Sequence, residues 1–171
     1  YQACKGGYID ILRLIIDKGT AQFNCIMCIA CTKNHIDIIQ FMIDKGATSF
    51  DSGMYCACKG GHMNIVQLMI NKGARNFTIG MYCACEKGYM DIVQLMINKG
   101  VNDFHWGMFH ACKGDYIRII KLLIEQGPLN TKDIKLLSIE QKKELLNMNI
   151  DHKYITHDEE FKNIISNREK Y

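Results

Sequence analysis

Polar residues recur along this chain at intervals that place them on one edge of a helix. Between Asn64 and Lys72 the polar positions are Asn64, Gln67 and Asn71, at i, i+3 and i+7, and most of the intervening residues are apolar. Such a pattern predicts a helix with a narrow solvent stripe whose remaining surface needs cover. Just upstream, Met54, Ala57 and Cys58 fall at i, i+3 and i+4, one face of a second, short helix that Gly60 and Gly61 end. The same stripe returns as Asp10/Arg13/Asp17, Asp37/Gln40/Asp44, Asp91/Gln94/Asn98 and Arg118/Lys121/Glu125.

The recurrence keeps one fixed step: Ala-Cys stands at 3–4, 30–31, 57–58, 84–85 and 111–112, and Lys-Gly at 18–19, 45–46, 72–73 and 99–100. Met27, Met54, Met81 and Met108 keep this period, as do Phe23, Phe50, Phe77 and Phe104. Each copy reads as two short antiparallel helices and a loop. Helices of about 8–10 residues are marginal alone, so neighbouring copies must stack to bury the apolar faces. Sustained period-two alternation, which strands would need, is missing, and the 27-residue period is not a heptad. The expected fold is therefore all-α: residues 1–127 as an array of one partial and four full units, and residues 128–171 as a non-repeating helical cap or tail. Pro128 marks the break. In the tail, helices are expected near 131–137, 139–147 and 158–167, with capping boxes at Ser138-x-x-Gln141 and Thr156-x-x-Glu159. Leu136, Leu137, Ile139, Leu145 and Leu146 are candidates to cover the end of the last repeat.

The segment from Ala57 to Ala74, ACKGGHMNIVQLMINKGA, resembles the ankyrin repeat pattern A-A-x-x-G-H-x-x-[IV]-V-x-x-L-[LI]-x-x-G-A. Similar matches start at Ala30 and Ala84, and looser ones at Ala3 and Ala111. The usual pattern runs about 33 residues and carries Thr-Pro-Leu-His before the first helix. Here Ser52-Gly53-Met54-Tyr55 stands in its place. The residues that build the β-hairpin finger are missing, so the resemblance implies an ankyrin-like helix-turn-helix solenoid with a short, Phe-bearing loop instead. The shortened unit also resembles repeats of giant DNA virus proteins of the mimivirus type, on its Asn-Asp-Phe and Gly-Met-Tyr blocks. That likeness implies an intracellular protein working in the cytoplasm of a host cell.

Composition narrows the choice of chemistry. The chain has 171 residues, 48% hydrophobic and 23% charged, with a net charge of +3. The apolar fraction argues against disorder, and no apolar run reaches the roughly 18 residues of a membrane span. So weak a positive charge gives no reason to expect nucleic acid. The first residue is Tyr and the array opens in mid-unit, which reads as part of a longer protein. Nine cysteines are too few for a disulfide scaffold, and Cys4, Cys31, Cys58, Cys85 and Cys112 are one framework position repeated. Cys56/Cys58 and Cys83/Cys85 form C-x-C pairs, but helical positions i and i+2 point about 200° apart and do not chelate one ion. Cys25, Cys28 and Cys31 come nearest to a ligand cluster, and nothing obvious completes it. Disulfides between equivalent repeat positions are disfavoured by helix axes about 8–10 Å apart. His35 and His62 sit where other copies have Tyr8, Tyr89 and Tyr116, which suits packing and hydrogen bonding. No triad is evident beside His105 and His110. The expectation is a non-enzymatic protein with no cofactor and no metal.

What varies between copies can carry recognition. Trp106 aligns with Cys25, Ser52 and Ile79, and its neighbour reads Asn24, Asp51, Thr78 and His105. The end of each first helix varies as Thr32, Lys59, Glu86 and Lys113. In the ankyrin family, loops and first helices line a concave face that holds partners. The resemblance thus implies a protein-binding strip of Asn24, Thr32, Asp51, Lys59, Thr78, Glu86, His105, Trp106 and Lys113, with drift on a solvated surface as the competing reading. The expected function is a protein-protein interaction scaffold; the alternatives are a self-assembling structural component and a thiol- or metal-dependent protein.

Overall fold

A computed structural model describes residues 2–16, 22–126, 131–148, 150 and 158–168. Among these residues every regular element is a helix. In chain order they are α1 (Gln2–Lys5), α2 (Ile9–Ile16), α3 (Phe23–Lys33), α4 (Ile36–Asp44), α5 (Phe50–Gly60), α6 (Met63–Lys72), α7 (Phe77–Lys87), α8 (Met90–Asn98), α9 (His105–Lys113), α10 (Ile117–Gln126), α11 (Thr131–Ile134), α12 (Ile139–Asn147) and α13 (Glu159–Arg168). Lys18, Gly19, Gly127, Pro128 and Thr156 lie outside the described residues. The chain divides into two compact units, residues 1–84 and 85–171, with the division inside α7.

In the first unit, α1 packs on α3 and α3 on α5, and each of these pairs with the helix that follows it. The helix pairs stack as in a helical solenoid. Their shared core is the repeated framework: Met27 and Met54, Ala30 and Ala57, Cys4, Cys31 and Cys58, and the second-helix residues Ile38, Ile65, Met42 and Met69. All of these are fully buried, each large side chain contributing about 1.5–3 kcal/mol. The polar stripe is solvent-facing, and it is internally tied: Gln40 donates to Asp44 at 2.8 Å and Gln67 to Asn71 at 3.0 Å.

The first helix of each copy starts earlier than the periodicity predicts. Phe23, Phe50 and Phe77 are the first residues of α3, α5 and α7, so in those copies the phenylalanine belongs to the helix, whereas Phe104 stays in the loop, as the residue just before α9. The connection shrinks to Gly73-Ala74-Arg75-Asn76. Gly53, a helix-breaking signal in sequence, is buried within α5, where a Cβ would lie 2.6 Å from Met69 Sδ. The close approach of α6 explains a glycine at that place.

The turn between the two helices is also written in the repeat. Gly7, Asn34, Gly61, Gly88 and Asp115 hold the equivalent place in successive copies, and all adopt positive φ, between 57° and 78°. Only glycine, asparagine and aspartate occupy this left-handed position, as expected for residues that tolerate it.

The second unit keeps the scheme and adds the tail. Here α9 pairs with α10, α10 packs on α8 and α12, and α12 on α13. Ser138 caps α12 in the expected box: its Oγ accepts from Gln141 N at 3.1 Å, and Gln141 Oε1 accepts from Ser138 N at 3.1 Å. Asp158 caps α13, accepting from Phe161 N at 3.0 Å. Leu137, Leu145 and Leu146 are buried as expected, whereas Leu136 and Ile139 stay exposed. The sequence pattern overstated the tail's apolar face because Gln141 and Lys142 take core places. Lys142 is buried with Asp158 at 3.1 Å, Glu160 at 2.5 Å and the Phe161 ring 5.4 Å away.

Candidate functional site

The variable second-position residues do defined work in the first unit. Asn24 Oδ1 accepts hydrogen bonds from Thr48 N at 2.8 Å and Ser49 N at 3.0 Å. One period later, Asp51 Oδ1 accepts from Arg75 N at 2.7 Å and Asn76 N at 2.8 Å. Each side chain stands at the second position of a first helix and clamps the backbone of the next loop. The sequence makes Asn24 and Asp51 members of the protein-binding strip on the ground of their diversity; their shared feature is a short side chain ending in an acceptor oxygen. Thr78 holds the same position in α7 and is partly buried.

The turn histidines make a second inter-repeat tie. His35 Nε2 donates to Lys5 O at 3.3 Å, and His62 Nε2 to Thr32 O at 3.0 Å. Their role is hydrogen bonding, as the interchange with tyrosine implies.

A cleft of about 440 Å³ opens in the first unit, lined by Asp51, Ser52, Tyr55, Cys56, Asn76 and Ile79. Tyr55 and Ile79 are exposed there. Three residues of the expected binding strip gather around one cysteine in its wall. The Cys56 thiol is held below the ordinary thiol range, first by a hydrogen bond with Cys28, against the opposing effect of burial, then by a hydrogen bond with Thr32 and the charge of Lys59. The Cys28 thiol is pushed up by the same bond and by burial. The framework thiols differ: burial raises Cys4 to about 11 and Cys31, Cys58 and Cys112 to about 12. The repeat pattern does not reveal the pairing of Cys28 with Cys56, because the two positions are out of register with the repeat.

In the second unit, Trp106 is half exposed and meets His105 and Phe109 edge to face, with ring centroids 5.8 and 5.9 Å apart. Phe109 continues the cluster to His110 at 5.4 Å. A smaller cleft of about 250 Å³ is lined by Phe109, Cys112, Lys113, Leu136, Ser138 and Gln141. His105 Nδ1 is hydrogen-bonded to Asp133, a buried carboxylate of α11. The sequence reading saw no carboxylate beside His105, because Asp133 comes from the non-repeating tail. Glu86 is exposed near the end of α7 and pairs with Lys87 at 3.0 Å. Among the described residues, no group of three or more His, Cys, Asp or Glu is placed to hold a metal ion. No helix among them is long and apolar enough to cross a membrane.

Residues 54–136 match the family model for ankyrin repeats, in three copies. Among solved structures, the chain is similar to the human ASB11 ankyrin repeat domain, with 18% sequence identity and a TM-score of 0.58. The match covers 72% of this chain and 66% of that one, so the chain spans just under two thirds of the relative's length. At this identity the likeness establishes the fold: all-α, built of ankyrin-type helix pairs. No curated protein matches the chain.

Proposed function

We propose that these ankyrin-type repeats form a non-catalytic scaffold that holds a protein partner along the concave face built from first helices and loops. Ankyrin repeats generally mediate protein-protein interaction. The observation that carries the reading here is the exposure of large apolar side chains on first helices, Tyr55 and Ile79 in one unit and Trp106 and Phe109 in the other. Each pair lies beside charged or polar members of the strip: Asp51 and Lys59 in the first case, His105 and Lys113 in the second. Aromatic anchors rimmed by polar groups are the composition of protein interfaces.

On this reading Trp106 is the chief anchor in the second unit, with Glu86 a further contact there, and Asn24, Thr32 and Thr78 are contacts in the first. Asn24 and Asp51 act in two ways, shaping the loops and bordering the surface. The tail, residues 128–171, closes the array. The 27-residue unit supports placing the protein among giant-virus ankyrin proteins, acting in the host cytoplasm. The test is affinity capture from cell extract with the wild type and with Trp106→Ala, paired with thermal melts of both. A captured protein lost in the variant at unchanged melting temperature supports the assignment. Retention of the same proteins, or a collapse of stability, makes Trp106 part of the framework.

A second reading is self-assembly, favoured by Ile11 and Leu14 of α2, which are 48% and 67% exposed. Analytical ultracentrifugation distinguishes it: a strictly monomeric chain across the micromolar range removes it.

A further inference from the structure

Two thiols on neighbouring first helices stand apart from the framework cysteines. Cys28 belongs to α3 and Cys56 to α5, helices that pack side by side. Their thiols are hydrogen-bonded to each other across that seam. Both are partly exposed, whereas Cys4, Cys31 and Cys58 are fully buried. Cys56 lines the wall of the 440 Å³ cleft, with the Thr32 hydroxyl against it and the Lys59 charge nearby. The pairing is also peculiar to this seam. One repeat later the two positions hold Tyr55 and Cys83, and two repeats later Tyr82 and His110. The packing requirement of the repeat therefore does not demand two thiols here.

We propose that Cys28 and Cys56 form a dithiol that hydroperoxides oxidise to a disulfide linking successive repeats, with Cys56 the attacking thiolate and Cys28 the resolving thiol. Cys56 suits the first role because it faces the cleft, and because a hydrogen bond from the Cys28 S–H, together with Lys59, stabilises its anion. The Cys56 thiolate attacks one oxygen of hydrogen peroxide. The O–O bond breaks, hydroxide leaves, and Cys56 becomes a sulfenic acid. Cys28 then gives up its proton and its sulfur attacks Cys56 Sγ. The S–S bond forms, the S–O bond breaks, and the hydroxide leaves with that proton as water. In sum two thiols lose two electrons and peroxide becomes two waters. A thiol already hydrogen-bonded to its partner needs little motion to resolve the sulfenic acid. The product ties α3 to α5 and replaces a thiolate at the cleft wall with a neutral disulfide. The cross-link would restrain the separation of neighbouring repeats, on which local opening of a stacked array depends.

The experiment uses the full reduced chain at neutral pH with equimolar hydrogen peroxide. Free thiols are then alkylated, and the chain is digested without reduction and mapped by mass spectrometry. The expected product joins the peptides of Cys28 and Cys56, lighter than their sum by two hydrogens, while Cys25, the exposed thiol, remains alkylated. In Cys28→Ser the sulfenic acid at Cys56 is left unresolved and is trapped by dimedone. Brief iodoacetamide treatment at about pH 6.5 should label Cys56 about tenfold faster than Cys25. Oxidation chiefly at Cys25, no cross-linked peptide in the wild type, or no dimedone adduct at Cys56 in Cys28→Ser would overturn the proposal.

Discussion

A single acceptor oxygen at the second position of a first helix decides how the following loop is held. Asn24 and Asp51 each take two backbone N–H groups of the next copy. What the bond needs is the oxygen and not the charge, since asparagine serves in one copy and aspartate in the next. Asp51→Asn should therefore leave stability within about 0.5 kcal/mol, while Asp51→Ala should cost about 1–2 kcal/mol in urea melts, because two loop donors lose their partner. Equal loss in both variants would show that charge, not the acceptor, matters. This residue-level device was only half legible. Periodicity located the positions but read Asn24, Asp51, Thr78 and His105 as unrelated, since it compares residue types and not the atoms they share. The Cys28–Cys56 contact escaped for a similar reason: contacts across a stacked seam join neighbouring, not equivalent, positions. By contrast the buried faces, Met27 with Met54 and Ala30 with Ala57, were fully legible, because burial imposes the same apolar choice in every copy.

At the level of elements, the helix pairs and their order followed from the polar stripes, and the start of α12 from Ser138 and Gln141. The beginnings of α5 and α7 did not, because Asp51, Ser52 and Gly53 look like a loop until α6 is seen pressing on Gly53. The tail shows how an array ends. Gln141 Nε2 donates to Cys112 O at 2.9 Å and to Asp115 Oδ1 at 2.8 Å. It thus takes on the last repeat the part that His62 plays on Thr32 O and Asn64 on Asn34 Oδ1. Gln141→Ala leaves both acceptors without this donor and should lower stability by about 1–3 kcal/mol, read by chemical denaturation. Further out, α13 is held to Lys142 through Asp158. Burial is the largest single influence on the Asp158 carboxyl and raises it. The Phe161 N–H and the Lys142 ammonium together outweigh burial and hold the group below the usual carboxylate range. A depressed carboxyl stabilises the fold above its unfolded value, and that contribution fades as pH falls through the folded one. The gap in melting temperature between wild type and Asp158→Asn should accordingly be widest near neutrality and narrow towards about pH 3. A gap independent of pH would mean that the Asp158 charge contributes nothing.

For the whole molecule, the fold is that of shortened ankyrin-type repeats, with framework positions constant and first-helix positions free to vary. The sequence indicates where variation lies but not which varied residues are engaged in inter-repeat bonds. Asn24 and Asp51 are so engaged, and His105 is bound to Asp133; Trp106 and Tyr55 instead present apolar surface. On the proposed reading, partners are held by the first helices and not by the polar stripes of the second helices. Site-specific photo-crosslinking in cells tests this most directly, with a benzophenone side chain placed at Trp106 in one variant and at Gln67, in the exposed stripe of α6, in another. A discrete covalent partner is expected from position 106 and none from position 67. The same partner from position 67, with none from position 106, would contradict it.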